Sequence, residues 1–252
     1  MFRSLLPMTA LLALIPAAAF AHFQEIIPSD DILAEESEGK LSLSLTFTHP
    51  MEGGPVMDMK PPKAFGVLHG GKKTTLVSAL SPREVEGKAA YSASWQAKTP
   101  GDYIFYLEPA PYWDDAEQHY LIHYAKVVVD FGGGEDWDAL VGFPVEIKPL
   151  TRPYGLWTGN LFSGVALKGG KPLAGAEVEI EWKNDGSVKA PSDPFVTQLV
   201  KTDASGRFSY AIPKAGWWAF NVLAQSSLKD EKGKSVPAEI GGTIWVKAVD
   251  LK

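Results

Sequence analysis

The chain has 252 residues, with 24 basic and 30 acidic side chains, a net charge of −6 at pH 7 and no cysteine. The missing cysteine excludes disulfides, thiolate metal sites, a cysteine nucleophile and a lipid anchor on cysteine. The negative balance offers no electrostatic footprint to nucleic acid or anionic lipid and modestly favours cations. The length suffices for two core-forming domains of roughly 100–120 residues each.

The chain opens with Arg3, an apolar run over 11–15 and Ala19-Phe20-Ala21. Small residues one and three positions before the cut are the mark of a signal peptide, here 1–21, cleaved after Ala21. No other segment is long and apolar enough to span a bilayer. The expected compartment is a bacterial periplasm, and the mature chain begins at His22 with a net charge of about −7. An N-terminal histidine offers a metal two nitrogens at once, its α-amine and its imidazole. An α-amine with an ordinary pKa near 7.7–8.0 is largely protonated at pH 7, so such a chelate weakens as pH falls.

The acidic stretch 30–38 reads as an exposed turn. Residues 41–49 alternate apolar and polar with period two, the pattern of a half-buried strand. Leu41, Leu43, Leu45, Phe47 and His49 then share the core face, with His49 at its rim before Pro50. The loop that follows holds Met51, Met57 and Met59 with Glu52 and Asp58. Its methionines are expected to be exposed, as thioether ligands or as loop anchors. Further strands are expected at 64–68, 91–96, 103–107 and 120–130, with Pro100-Gly101-Asp102 turning into the third. Residues 114–118 fit one helical turn.

Pro149 and Pro153, with Gly155, mark a linker over 149–156 between a first domain (22–148) and a second (157–252). Short strands at 159–167, 177–182, 195–201, 207–211, 217–224 and 243–248 follow, with turns at 168–172 and 202–206. The expectation is an all-β chain of two β-sandwiches. The text "GGKPLAGAEVEIEW … TDASGRFSYAIPKAGWW" resembles a transthyretin-like or carboxypeptidase-regulatory sandwich, which implies a structural or binding module.

All five histidines (His22, His49, His69, His119 and His123) fall in the first half, so a transition-metal site is expected there. His119 and His123, if both in strand, lie about 13 Å apart, too far for one small chelate. At most one of them, with His123 favoured, joins His22 and His49. His69, before Gly70-Gly71, reads as a solvated turn residue. Tyr112, Trp113, Trp217 and Trp218 read as core or interface packing. No G-x-S-x-G, H-E-x-x-H or phosphate-binding glycine loop is present, and no enzymatic activity is expected.

The segments "AHFQEIIPSDD", "LTFTHPMEGGPVMDMKPP", "PGDYIFYLEPAPYWDDAEQHYLIHYAKVVVD", "EIKPLTRPYGLWTGNLFSG" and "AGWWAFNVL" resemble the nickel-uptake-transporter family of periplasmic proteins. The resemblance runs over nearly the whole mature chain. It implies assistance to nickel or cobalt uptake, as a soluble or tethered partner of an energy-coupling-factor-type importer. It assigns the metal to His22 as mature N-terminus, to His49 in Thr-His-Pro and to His123 in His-Tyr. Asp114 stands where a glutamate would be expected, and His69 and His119 match nothing in the pattern. The implied mechanism is capture of Ni²⁺ or Co²⁺ and hand-off. Glu52, Met57, Asp58 or Met59 are candidates for further ligands. Simple N/O sites prefer Cu²⁺, so selectivity must come from geometry or supply. Two other readings stay open: a copper-brace chaperone or oxidase built on the N-terminal histidine, and a structural adhesion module.

Overall fold

Alternating runs and short apolar runs both become strand in the computed structural model, which describes residues 22–229 and 232–251. The signal peptide expected over 1–21 lies outside the described residues. In chain order the strands are β1 (Phe23–Pro28), β2 (Ile32–Leu33), β3 (Lys40–Thr48), β4 (Ala64–His69), β5 (Lys72–Thr75), β6 (Ser81–Val85), β7 (Lys88–Gln96), β8 (Gly101–Glu108), β9 (Tyr112–Asp114) and β10 (His119–Phe131). They continue with β11 (Val145–Pro149), β12 (Leu156–Trp157), β13 (Leu161–Lys168), β14 (Lys171–Pro172), β15 (Glu177–Trp182), β16 (Gln198–Lys201), β17 (Arg207–Ala211), β18 (Gly216–Lys229) and β19 (Ser235–Val249). Three short 3₁₀ turns are the helical content among the described residues, and no helix there is long and apolar enough to cross a membrane.

The architecture is all-β and sandwiched. One outer sheet of four strands runs β1-β3-β7-β6, and another runs β11-β13-β14 with β17 beside β13. Between them lies an eleven-stranded sheet, β16-β15-β18-β19-β10-β8-β4-β5, with β2, β9 and β12 attached. Its β4, β8 and β10 share one core with β1 and β3, and its β15, β18 and β19 share another with β11, β13 and β17. The joint is the parallel pairing of β10 with β19, from Tyr120↔Ala238 to Val127↔Trp245. Strand 145–149 precedes most of the expected linker, yet pairs with β13 as Val145↔Lys168 through Pro149↔Gly164.

Period-two geometry lets β10 serve both cores. Leu121, Ala125, Val127 and Val129 face the first, while Ile122 and Tyr124 face the second. A strand buried on both faces reads as a nearly continuous apolar run, as His119–Phe131 does. Trp245, fully buried on β19, crosses into the first core, where its indole Nε1–H donates to the Gln24 carbonyl at 2.9 Å. Burying such a ring contributes on the order of 3 kcal/mol. A second tie is ionic. Lys126 of β10 and Glu146 of β11 meet at 2.6 Å with both side chains buried.

The turns follow their residue chemistry. Gly169-Gly170 join β13 to β14, and the Asp203 carboxylate accepts the Ser205 and Arg207 amides at 2.8 and 2.9 Å between β16 and β17. The stretch 30–38 departs from the expected exposed turn. Asp31 is buried, and Ile32–Leu33 form β2 against the end of β10, pairing Asp130↔Ile32. The sheet edge recruits this short segment, although its acidic composition reads as solvated.

Candidate metal centre

Antiparallel pairing of β1 with β3 begins at Phe23↔Thr48. One step further along that ladder sets His22 across from His49, and their ring centroids lie 4.5 Å apart. Strand parity turns the buried His49 inward, as expected from its place in line with Leu45 and Phe47. His123, on the first-core face of β10, comes to the same corner, with its Nδ1 2.5 Å from the His22 carbonyl oxygen. Phe47 stands between them, its ring 5.8 Å from His22 and 6.2 Å from His123. The three expected ligand residues therefore lie toward one corner, with the His22 and His49 rings in contact and His123 touching the His22 backbone. Among the described residues, no three His, Asp or Glu side chains already surround one metal-sized point.

The hydrogen bonds fix which nitrogens face outward. A carbonyl oxygen only accepts, so His123 Nδ1 carries a proton and Nε2 is its remaining donor atom. That Nε2 lies 3.3 Å from Oε1 of Glu239 on β19. Burial alone would raise the Glu239 carboxyl. The hydrogen bond and charge of His123, with His119 and His22 beyond, hold it below the ordinary carboxylate range. A proton or a metal cation fits between this carboxylate and the imidazole nitrogen.

His22 is oriented from the other side. Its Nε2 lies 3.3 Å from Oδ2 of Asp114, which ends β9. The other oxygen, Oδ1, accepts the Ala116 and Glu117 amides at 2.7 and 3.0 Å. The Gln118 amide donates to the Asp114 carbonyl at 2.8 Å and Gln118 takes a left-handed φ of 56°, so the expected helical turn at 114–118 is instead the tight turn that joins β9 to β10. A carboxylate held this way takes the Nε2 proton and leaves the lone pair on Nδ1. Nδ1 is the ring nitrogen that can close a six-membered chelate with the backbone nitrogen of the same residue. Burial, reinforced by His49 and His123 and opposed by Asp114 and Glu239, pushes the His22 pKa down to about 4. The ring is neutral, and able to ligate, across the neutral pH range.

The methionine loop departs from expectation. Met57 and Met59 are buried in the first core and Met51 in the second. The loop folds back because its amides find strand partners: Met57 donates to the Phe47 carbonyl at 2.8 Å and Met59 to the Ala89 carbonyl at 3.0 Å. The Met51 amide donates to Glu181 at 3.0 Å. The Asp58 carboxylate accepts the Ala89 amide at 2.9 Å and pairs with Lys88 at 3.6 Å. Glu52 is exposed, and burial followed by the charge of Asp193 raises its carboxyl.

The other two histidines stand apart from the trio. His119 has its Nε2 3.3 Å from Glu117. His69 ends β4 rather than floating in a turn. Its ring stacks on Tyr103 at 4.0 Å and reaches the Asp102 carbonyl and the Thr99 hydroxyl at 2.9 and 3.0 Å.

Glu239 is the site residue that sequence reasoning missed. The local signal is an acid at the centre of a strand, between Ala238 and Ile240, but its partner on β10 is more than a hundred residues away. Close by, Gly241 opposes His123 across the seam. A Cβ there would meet Asn221 Oδ1 at 2.6 Å and His123 Cδ2 at 2.7 Å. Gly241→Ala is therefore expected to displace the His123 ring while leaving a folded chain, since overpacking of this kind costs about 1–3 kcal/mol. Long-range ¹H–¹⁵N spectra of the imidazoles check this, and an unmoved His123 signal would refute the close approach.

Comparisons with known proteins add a family. Among curated proteins, none matches the chain. Among solved structures, a 1.5-MDa bacterial ice-binding adhesin is 11% identical at a TM-score of 0.26, over 92% of this chain and 65% of its own. Adhesin InvE of Yersinia pseudotuberculosis is 12% identical at 0.26, over 87% and 58%. A putative carbohydrate binding protein of Bacteroides uniformis is 12% identical at 0.23, over 76% and 90%. The chain thus spans less than two thirds of the length of the two adhesin chains. The family model described as Domain of unknown function (DUF4198) matches residues 19–226, well over half of the sequence, and the chain belongs to that family.

Proposed function

We propose that this chain is a periplasmic Ni²⁺- or Co²⁺-binding protein that captures the ion and passes it to an energy-coupling-factor-type importer. The observation that carries the reading is the meeting of His22, His49 and His123 at one corner, with Asp114 orienting the first. After cleavage behind Ala21, the α-amine and Nδ1 of His22 chelate the ion, and the His49 and His123 imidazoles add two more nitrogens. Four neutral nitrogen donors suit a borderline ion of this class. The Asp114 carboxylate on the far side of His22 orients that ring and raises its basicity, as outer-shell partners of metal-bound histidines do, while Glu239 sits at the His123 nitrogen that would face the ion. The sequence resemblance supplies the cargo and the importer.

Calorimetric titration with Ni²⁺, Co²⁺ and Cu²⁺ of protein whose first residue is His22 tests the reading. Wild type is expected to bind one equivalent, and His49→Ala to bind at least about tenfold more weakly. Unchanged affinity in that variant would overturn the site. A preference for Cu²⁺ with reductant-dependent oxygen consumption would favour the copper-brace reading instead.

A further inference from the structure

Beside His123 lies a cleft of about 220 Å³ whose walls include Phe47, Met59, Tyr112, Trp113 and Leu121. We infer that it seats the organic part of a metal chelate, a small flat ligand bearing a carboxylate, so that the ion reaches the histidines already chelated. This inference rests on the proposed metal reading and names the form in which the cargo arrives.

Three observations carry it. The first is continuity between the cleft and the ligand rings. Tyr112 of β9 lies opposite Leu121 of β10, and its ring meets Phe47 edge-on at 5.3 Å, which in turn meets His123 edge-on at 6.2 Å. His123 itself lines the cleft, so a ligand seated there can reach an ion held on that imidazole.

The second is wall chemistry. Gln24, the buried amide in the wall, spends its NH₂ on the Thr46 and Glu25 carbonyls at 2.8 and 3.2 Å. The Asp58 carboxylate at the mouth is held by Ala89 and Lys88. The water shell of a hydrated ion would meet mostly apolar surface here, which costs free energy for every hydrogen bond left unmade. A flat organic body gains from the same surface, because aromatic walls favour offset or edge-on ring contacts. Lys60, exposed at the mouth, offers a cation to an outward carboxylate oxygen.

The third is coordination number. Four protein nitrogens, with Glu239 beside the His123 Nε2, leave one or two positions on a six-coordinate ion; of the loop candidates, Asp58 is held by Ala89 and Lys88 and Met51 lies in the second core. A small chelating ligand fills what is left. A cleft of this volume holds about seven waters at roughly 30 Å³ each, or a single ligand the size of pyridine-2-carboxylate.

The test titrates Ni²⁺ alone, and Ni²⁺ premixed with one equivalent of pyridine-2-carboxylate, into the chain beginning at His22. Native mass spectrometry reads the stoichiometry. The expected result is a ternary complex with at least about tenfold tighter binding than Ni²⁺ alone. Trp113→Ala and the exposed-site variant Lys60→Glu should lose most of that gain while keeping the affinity for Ni²⁺ alone within about twofold. A chelator that strips Ni²⁺ from the protein, or a gain that survives both substitutions, would overturn the inference and leave the metal reading standing. Absence of Ni²⁺ binding in either form would overturn both.

Discussion

One alanine added ahead of His22 is expected to weaken Ni²⁺ binding by about 100-fold or more, with the thermal midpoint unchanged. The addition converts the α-amine into an amide, whose nitrogen no longer offers a lone pair to the ion at neutral pH. The imidazole stays in place, since Asp114 still takes its Nε2 proton and β1 still pairs with β3 from Phe23 onward. What disappears is the chelate ring. Losses of 10–100-fold are typical of disturbing only the outer shell of a metal site, so removing an inner donor should cost at least the upper end of that range. Calorimetry on the two otherwise identical chains decides the matter. Equal affinities would mean that the imidazole of His22 binds alone, or that the ion does not use this residue.

Glu146→Ala should produce the largest loss of stability of any single substitution considered. One carboxylate there satisfies four donors: the Lys126 ammonium at 2.6 Å and the Val141, Gly142 and Phe143 amides at 2.8, 2.8 and 3.1 Å. Burial pushes the Lys126 pKa below its ordinary value, and Glu146 opposes that shift. Removing the carboxylate leaves a fully buried ammonium and three amides without their acceptor. Breaking such a pair costs about 3–5 kcal/mol before the amides are counted, against a total stability of about 5–15 kcal/mol for an ordinary domain. Thermal unfolding should move down by about 10 °C or more. The double variant Lys126→Met/Glu146→Gln removes both charges but keeps an acceptor for the amides, and is expected to recover most of the loss. A midpoint within 3 °C of wild type for Glu146→Ala would show that Lys126 sheds its proton at little cost.

Much of the secondary structure was legible in the sequence because strand period and turn chemistry are local. Residues 41–49 alternate, and β3 spans Lys40–Thr48 with His49 facing inward as that alternation requires. β15 and β17 match their expected bounds residue for residue. Local signals do not carry partners, however. Nothing near Tyr120 or Ala238 announces that two strands more than a hundred residues apart lie side by side. The strand over 145–149 lies almost wholly in the expected first domain, ahead of the prolines that signal a linker, yet β13 of the second sandwich claims it. The methionine loop was misjudged for a related reason. Its glycines and prolines describe a surface turn correctly, but which way a thioether points depends on where Phe47 and Ala89 offer carbonyls. The trio of histidines was legible from parity and resemblance, whereas Glu239 became visible only with the seam.

That seam also sets an order of events in folding. Pairing β10 with β19 closes a loop of more than a hundred residues, an entropic cost about 1 kcal/mol greater than that of nearer pairings such as β1 with β3 or β4 with β8. The first sandwich can therefore gather His22, His49 and His123 while the edge of β10 is still open. Glu239 and the indole of Trp245 arrive only when the far end of the chain zips onto it. A half-folded chain thus displays the histidines without the carboxylate beside His123, and the finished corner exists only once β19 is in place.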